Sequence, residues 1–346
     1  RHCVLVGDPR QLPATVISRL ATDCSYDRSL LERLTTVSGG EIQLNEQFRM
    51  HPEIREFPSK YFYENKLEDA PNIKALAQST KPTIFQAILK GSSRGQEIVS
   101  TKEDRDLLDH AYTVFDVKGT NSRSAQGSLA NKEEVHAVLA LYDYLMSKVE
   151  PIPPNSQKPD DVANKAASGG KVSVTPQHLN QRPLPQVIAS VGIITPYKHQ
   201  RDELRQAFMN RYGNVGEGSR ACNVRIDTVD SFQGKERDVI ILSCVRAAQN
   251  PQSQQQQKQG HEGGNNGGNK GGHSMIGFVS DVRRMNVAIT RAKKLLWIVG
   301  DLDVLKKDEA WRALIQDATE RSRVRDAKKL IENKFVLESE PGELSS

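Results

Sequence analysis

Five short stretches of this sequence group polar, charged and aromatic residues in ways that suit phosphate chemistry. In Gly7-Asp8-Pro9-Arg10-Gln11-Leu12-Pro13, the Gln11 carboxamide can donate or accept, which suits positioning a water or sensing a phosphate oxygen; the same Gly-Asp-Pro also reads as a plain tight turn. In Glu46-Gln47-Phe48-Arg49-Met50-His51-Pro52, Phe48 offers a ring to stack on a base and Arg49 a guanidinium to meet phosphate, although a strand end ion-paired to a neighbour would look the same. Ile194-Thr195-Pro196-Tyr197-Lys198-His199-Gln200 is a strand-to-helix junction, and a helix N-terminus presents unpaired N–H groups to an anion; Thr195 equally reads as an N-cap.

The remaining two stretches lie further along. Asp227-Thr228-Val229-Asp230-Ser231-Phe232-Gln233-Gly234-Lys235-Glu236 combines hydroxyls, a glycine that permits close backbone approach, and an acid able to accept from a ribose hydroxyl; each residue alone also fits a polar connection. Arg283 to Lys293 carries a row of basic residues on a predicted helix begun by Asp281 and Val282, with Arg291 near its end. There Arg291 could reach across a cleft as an arginine finger, or the basic face could simply be solvated.

These residues need a scaffold, and the apolar pattern supplies one. Val4–Val6 reads as a buried strand ending in a turn, and Ser29–Leu34 as a short helix closed by a Ser38-Gly39-Gly40 break, with a second unit beginning at Ile42–Leu44. Thr113–Val117, Val191–Ile194, Asp238–Val245 and Leu295–Val299 read as strands; the last two are near-continuous apolar runs, as expected of strands covered on both faces. Asn131–Lys148 is the clearest helix: Asn131 caps it, Glu134 stands three residues on as in a capping box, and Val135, Val138, Leu139, Tyr142, Leu145 and Met146 share one face. Thr195-Pro196 is expected to open another helix, with proline in its first position. Strands alternating with helices predict a three-layer α/β fold on a mainly parallel sheet.

Composition narrows the function classes. The 346 residues carry 48 Lys+Arg against 43 Asp+Glu, a formal +5, which permits a polyanionic partner without requiring one. No run of about 18 apolar residues exists to span a membrane. Cys3, Cys24, Cys222 and Cys244 are scattered without a Cys-x-x-Cys pair, which argues against a zinc site or a disulfide framework and fits a reducing compartment. Residues 150–186 (rich in Pro, Ser, Asn and Lys) and 249–273 (Gln runs, then Gly-Gly-Asn repeats) hold too little apolar surface to offset their ordering entropy and read as disordered insertions, with a protein-docking tract as the alternative.

Taken in order, GDPRQLP, EQFRMHP, ITPYKHQ, DTVDSFQGKE and RRMNVAITRAK resemble the C-terminal motif series of superfamily 1B (Upf-like) helicases. The senataxin branch is the nearest in character, through FPSKYFYENKL, LSCVRA and the segment at Trp311-Arg312. The resemblance runs from residue 1 to about residue 320 and implies RecA-like architecture of the P-loop NTPase type: residues 1–36 as the end of a first RecA-like domain, 37–335 as the second, and 336–346 as a polar tail. It implies that Gln11 couples the γ-phosphate of ATP to the strand-binding face, that Arg49 and Arg291 meet that phosphate, and that Phe48 stacks on adenine where relatives often carry Tyr. Gly234 and Glu236 would face the nucleotide, and Thr195, Tyr197 and Thr228 a single strand of RNA or DNA. ATP and Mg²⁺ are the implied ligands, RNA-processing or transcription-termination factors the implied partners, and the nucleus, with the cytoplasm as a second site, the implied location.

One departure stands against this. No G-x-x-x-x-G-K-[ST] phosphate loop occurs: Gly170-Lys171 precedes Val and Gly234-Lys235 precedes Glu, and no apolar run ends in Asp-Glu. With no initiator Met, the chain reads as beginning at the third helicase motif, the Mg²⁺ ligands lying upstream. Two outcomes are therefore expected side by side: half of an ATP-driven helicase whose catalysis needs more chain, or an inactive module that holds single strands.

Overall fold

Strands with no polar face stay paired only where both sides are covered, and four such runs build the centre of this protein. In the computed structural model, which describes residues 4–38, 42–78, 107, 109–147, 190–215, 224–247 and 277–328, the main sheet has six parallel strands. In chain order the strands are β1 (Glu46–Gln47), β2 (Glu68–Asp69), β3 (Tyr112–Asp116), β4 (Ser122–Arg123), β5 (Leu129–Ala130), β6 (Val191–Thr195), β7 (Val224–Thr228), β8 (Arg237–Ser243), β9 (Ala292–Gly300) and β10 (Val324–Asp326). The main sheet runs β10-β3-β9-β8-β6-β7; β1 pairs with β2, and β4 with β5, as two small satellites.

Two apolar layers flank the main sheet. Ile240, Leu242, Leu296 and Ile298 face a cluster built with the helices Pro52–Phe62, Val282–Ile289 and Glu309–Glu320. Val239, Ile241, Leu295, Trp297 and Val299 face the other way, against the helices Lys132–Ser147 and Lys198–Tyr212. Alternate residues of one strand thus feed opposite layers, and each fully buried Val, Leu or Ile contributes about 1.5–3 kcal/mol. The three-layer α/β fold on a parallel sheet is the one the alternation of elements predicts, and it is RecA-like in architecture, as the resemblance implies.

Several local expectations are corrected. Val4–Val6 is not a buried strand: it is irregular, with Val4 84 % and Val6 90 % exposed, because no described strand lies beside it to cover its apolar faces. The helix after β6 starts at Lys198 rather than at Thr195-Pro196; Thr195 completes the strand and its Oγ1 accepts from the Tyr197 N–H at 3.5 Å. Asn131 does cap the helix at 132, its Oδ1 accepting from the Glu134 N–H at 3.2 Å. The box does not close, however: the Asn131 N–H goes to Gln200 Oε1 at 2.8 Å, and Glu134 turns inward instead. The basic helix ends at Ile289, so Ala292 and Lys293 already belong to β9. The short helix at 29–34 continues to Ser38. The Gly39-Gly40 break, both low-complexity insertions and the 336–346 tail lie outside the described residues.

Segment 8–36 is tied to the rest by polar contacts. Asn286 Nδ2 donates to the Arg10 carbonyl at 3.0 Å, Gln233 Nε2 to the Leu12 carbonyl at 3.2 Å, and Arg283 pairs with Glu32 at 3.0 Å.

Candidate nucleotide and strand interface

The turn after β1 is shaped by one side chain that the sequence reading passed over. Gln47 Oε1 accepts from the N–H groups of Arg49 (2.9 Å) and Met50 (2.7 Å), while its Nε2 donates to the Met50 carbonyl (2.8 Å) and to Asp69 (2.6 Å). Asp69 is in turn gripped by Arg55, and is 6 % exposed. Folding residues 47–50 this tightly turns Phe48 outward, 65 % exposed, and swings Arg49 across to the loop before β8.

There Arg49 Nε donates to Glu236 Oε2 at 2.6 Å, and Lys293 Nζ to Glu236 Oε1 at 2.7 Å. These hydrogen bonds, Lys293 first and Arg49 second, hold the Glu236 carboxyl below its ordinary range. Arg49 Nη1 also donates to the Thr290 carbonyl at 3.2 Å, which brings it beside Arg291. Arg291 does not reach outward. It is 2 % exposed and folds over its own helix end, donating to the Val287 carbonyl (2.9 Å), Thr290 Oγ1 (2.9 Å) and the Lys235 carbonyl (3.4 Å). Burial, and after it the positive charge of Arg49, lowers its guanidinium to about 10, so it is still a cation at neutral pH. Gly234, two residues before Glu236, sits at φ +75°, a left-handed conformation that glycine adopts without strain.

Gln11 approaches the same corner from the other side. Its Nε2 donates to Asp8 Oδ2 at 2.8 Å, where the Tyr63 hydroxyl also donates at 2.8 Å; that hydroxyl accepts from Asn286 Nδ2 at 2.7 Å. Burial first, with the Asp8 charge among the smaller causes, pushes the Tyr63 phenol up to about 12. The Asn286 side chain is fully buried, and its Oδ1 has no hydrogen-bond partner among the described residues.

Thr195, Tyr197 and Thr228 form a different group. Thr195 and Thr228 are register partners at the carboxyl ends of β6 and β7, whereas Glu236 and Arg291 precede the amino ends of β8 and β9. At about 3.3 Å per residue, seven residues of β8 separate the two levels by on the order of 20 Å. The structure therefore brings Gln11, Arg49, Glu236 and Arg291 to one end of the sheet, with Phe48 exposed beside them, and sets the threonine pair at the other. Thr228 Oγ1 donates to Ser231 Oγ at 3.2 Å, and the Tyr197 hydroxyl accepts from Arg246 Nε at 2.8 Å with the guanidinium 5.6 Å from the ring centroid. In open parallel sheets, ligands collect beyond the carboxyl ends of strands, which is where this second group lies.

Among the described residues no three His, Cys, Asp or Glu side chains gather into a metal site.

Comparison with known proteins now decides the family. The AAA domain family matches residues 26–303. The chain belongs to that family. Within it, the chain is similar to superfamily 1 helicases of the senataxin type. It is 33 % identical over 328 residues to Helicase sen1 of Schizosaccharomyces pombe, covering 94 % of this chain and 14 % of that protein. It is 34 % identical over 342 residues to Probable helicase MAGATAMA 3 of Arabidopsis thaliana, covering 98 % and 32 %, and 27 % identical over 355 residues to Probable helicase senataxin of Homo sapiens, covering 97 % and 10 %. This AAA-domain chain thus spans a third or less of each of these relatives. Its sequence alone did not single out Gln47, Lys293, Asp8, Tyr63 or Asn286. Asp8, Gln47, Asn286 and Lys293 lie inside the motif stretches and Tyr63 inside FPSKYFYENKL, but nothing in residue type separates them from their neighbours until the contacts are seen.

Proposed function

We propose that this chain supplies the second RecA-like half, with residues 1–36 from the end of the first, of an ATP-dependent helicase that moves along single-stranded nucleic acid and unwinds RNA or RNA–DNA duplexes. The observation that carries this reading is the Arg49–Glu236–Lys293 cluster joined to buried Arg291, with Gln11 reaching the same corner through Asp8, Tyr63 and Asn286. In this reading Phe48 stacks on adenine, Gly234 and Glu236 border the nucleotide, and Arg49 and Arg291 hold negative charge that develops on the transferring phosphoryl group. ATP would supply the free energy and the phosphoryl group, and Mg²⁺ would be held by a phosphate loop and an apolar run ending in Asp-Glu, neither of which this sequence contains.

The chain's own part is positional. Gln47 fixes the turn that aims Arg49, Glu236 bridges Arg49 and Lys293, and the Asn286–Tyr63–Asp8 link ties Gln11 to the helix that precedes Arg291. A change at the phosphate end is thereby transmitted to the sheet, whose other end carries Thr195, Tyr197 and Thr228 against the strand. Nuclear residence and partners in RNA processing or transcription termination go with this reading.

A second reading is favoured by one fact: the 346 residues contain no G-x-x-x-x-G-K-[ST] sequence. On that account the isolated chain binds single strands without hydrolysing ATP. The test separates the two. Purified residues 1–346 are expected to bind a labelled single-stranded oligonucleotide and show no Mg²⁺-dependent ATPase, whereas a longer protein carrying this chain together with a phosphate loop hydrolyses ATP when the strand is added. Strand-independent, undiminished hydrolysis by an Arg49→Ala, Arg291→Ala form of that longer protein would overturn the helicase reading.

A further inference from the structure

At the strand-binding end of the sheet the chain does something that none of the motif residues explains. Val245, two residues past the end of β8, has φ +75°. A β-branched residue in that region is a backbone outlier, which persists only where its surroundings hold it. The surroundings here are a buried carboxyl group. Glu134 is fully buried, and its Oε2 accepts from the Val245 N–H at 2.8 Å and from Ser243 Oγ at 2.6 Å. Asn131 Nδ2 holds the other side of the same residue, donating to the Val245 carbonyl at 3.2 Å and to Glu134 Oε1 at 3.4 Å. Gln200 Nε2 donates to Ser243 Oγ at 3.0 Å and to the Asn131 carbonyl at 3.2 Å, which locks the helices at 132 and 198 into the same network. The residues Asn131, Glu134, Gln200 and Ser243 are all fully buried, so water cannot replace these bonds.

The next residue shows what the forced turn achieves. Arg246 leaves it directly over Tyr197, donating Nε to the tyrosine hydroxyl at 2.8 Å, with its guanidinium 5.6 Å from the ring centroid. A relaxed, right-handed residue at 245 would send the chain, and Arg246 with it, in another direction.

We propose that Glu134 is a positioning residue: by holding Val245 in a left-handed turn it sets the Arg246 guanidinium on Tyr197, where Arg246 contacts the sugar-phosphate backbone of a bound single strand. This rests on the nucleic-acid reading above and adds a contact and a support to it. An arginine already oriented by stacking loses little freedom on meeting a phosphate, and phosphate contacts release counterions whatever the base sequence.

The experiment is a salt titration of fluorescently labelled poly(U) and poly(dT) oligonucleotide binding to the 346-residue chain, read by anisotropy. Arg246→Ala is expected to weaken binding about tenfold and to reduce the slope of log affinity against log salt by about 0.7, the share of one single-strand phosphate contact. Glu134→Ala is expected to produce the same loss and the same slope change with Arg246 intact. Adding Val245→Gly to Glu134→Ala is expected to restore much of it, since glycine needs no clamp to stay left-handed; a role in packing alone would not be rescued by emptying a neighbouring side chain. Where Glu134→Ala fails to fold, Asn131→Ser decides: serine still caps the helix but cannot reach the Val245 carbonyl, and affinity and slope should both fall. Unchanged affinity and slope in Arg246→Ala overturns the contact, and a folded Glu134→Ala or Asn131→Ser that binds like the parent overturns the positioning role. If the parent chain binds neither oligonucleotide, the nucleic-acid reading itself has failed.

Discussion

Arg49 donates to Glu236 at 2.6 Å although 187 residues separate them in sequence. This bond joins the turn after β1 to the loop before β8, and it fixes the direction of a cation on the rim of the sheet. Both side chains remain about a third exposed, at 33 % and 38 %, so solvent screens the pair.

The pair should therefore matter to binding more than to folding. Glu236→Gln is expected to cost less than about 1 kcal/mol of stability, read from a urea transition with an unchanged slope. Nucleotide affinity should drop, because Arg49 and Lys293 lose the group that bridges them, while single-strand affinity at the distant threonine pair stays as it was. A loss of several kcal/mol would mean that the cluster is structural cement.

Arg291 calls for the opposite balance. It is buried, and its removal takes away the donor that reaches the Lys235 carbonyl and leaves the Val287 carbonyl with the Thr290 hydroxyl at 3.3 Å, so Arg291→Ala should cost about 1–3 kcal/mol. In a longer, hydrolysis-competent protein it should also lower turnover by about 10³–10⁵, the effect of losing an arginine finger, with strand affinity unchanged. Arg291→Lys separates the two effects: it keeps a charge and one of the bonds, so stability should largely return, but without the forked guanidinium turnover should not. Normal hydrolysis in both variants would remove Arg291 from the chemistry.

How much of this was legible beforehand follows from what each residue is surrounded by. Val239–Leu242 and Leu295–Val299 announce central strands because burial on both faces leaves no polar position to interrupt the run. Val224–Thr228 was passed over because it is an edge strand with alternating burial, and a five-residue alternation is easily taken for loop. The helix Pro52–Phe62 carries Pro58 within it, which argues against a helix in sequence and is tolerated in the structure. The motif series contains Arg49, Glu236 and Arg291, which the structure places at one corner, but type and spacing could not show that Arg291 lies folded back rather than extended. Glu134 was misassigned for a related reason. A glutamate three residues after a cap looks like a capping-box member, and only the tertiary structure shows its carboxyl group turned toward Val245.

Two glycines make a paired test of the nucleotide loop. A Cβ at Gly234 would meet nothing within 4 Å, so Gly234→Ala should cost only the left-handed backbone penalty, about 1 kcal/mol, yet weaken nucleotide binding by stiffening and displacing the loop before Glu236. A Cβ at Gly192 would stand 2.8 Å from Ile240 Cδ1 and 3.0 Å from Phe232 Cε1, so Gly192→Ala overpacks the sheet and should cost about 1–3 kcal/mol in thermal or urea melts without a nucleotide-specific effect. The same ranking in both assays would show that Gly234 acts through stability alone.

The buried carboxyl at 134 predicts how stability varies with pH. Desolvation is the main cause that pushes Glu134 up to about 8 from an ordinary 4.5; the bonds from Ser243 and Val245 oppose it, and Asp301 adds a little in the same direction as burial. Cys244, its other titratable neighbour, is pushed well above its ordinary range and remains a thiol throughout this window. Between about 4.5 and 8 the folded chain therefore holds a proton on Glu134 that the unfolded chain has released. Because the native state binds more protons there, stability must fall as pH rises across the window, by at most about 1.4 kcal/mol per unit, and level off above about 8. Glu134→Gln, which resembles the protonated acid in shape, should flatten that slope while leaving stability near pH 5 almost unchanged. Urea titrations of both proteins at half-unit steps from pH 5 to 9 make the comparison. If the parent gains stability with rising pH in a way that the glutamine variant does not share, Glu134 is ionised in the native state, and the Ser243, Val245 and Asn131 donors outweigh the cost of burying its charge.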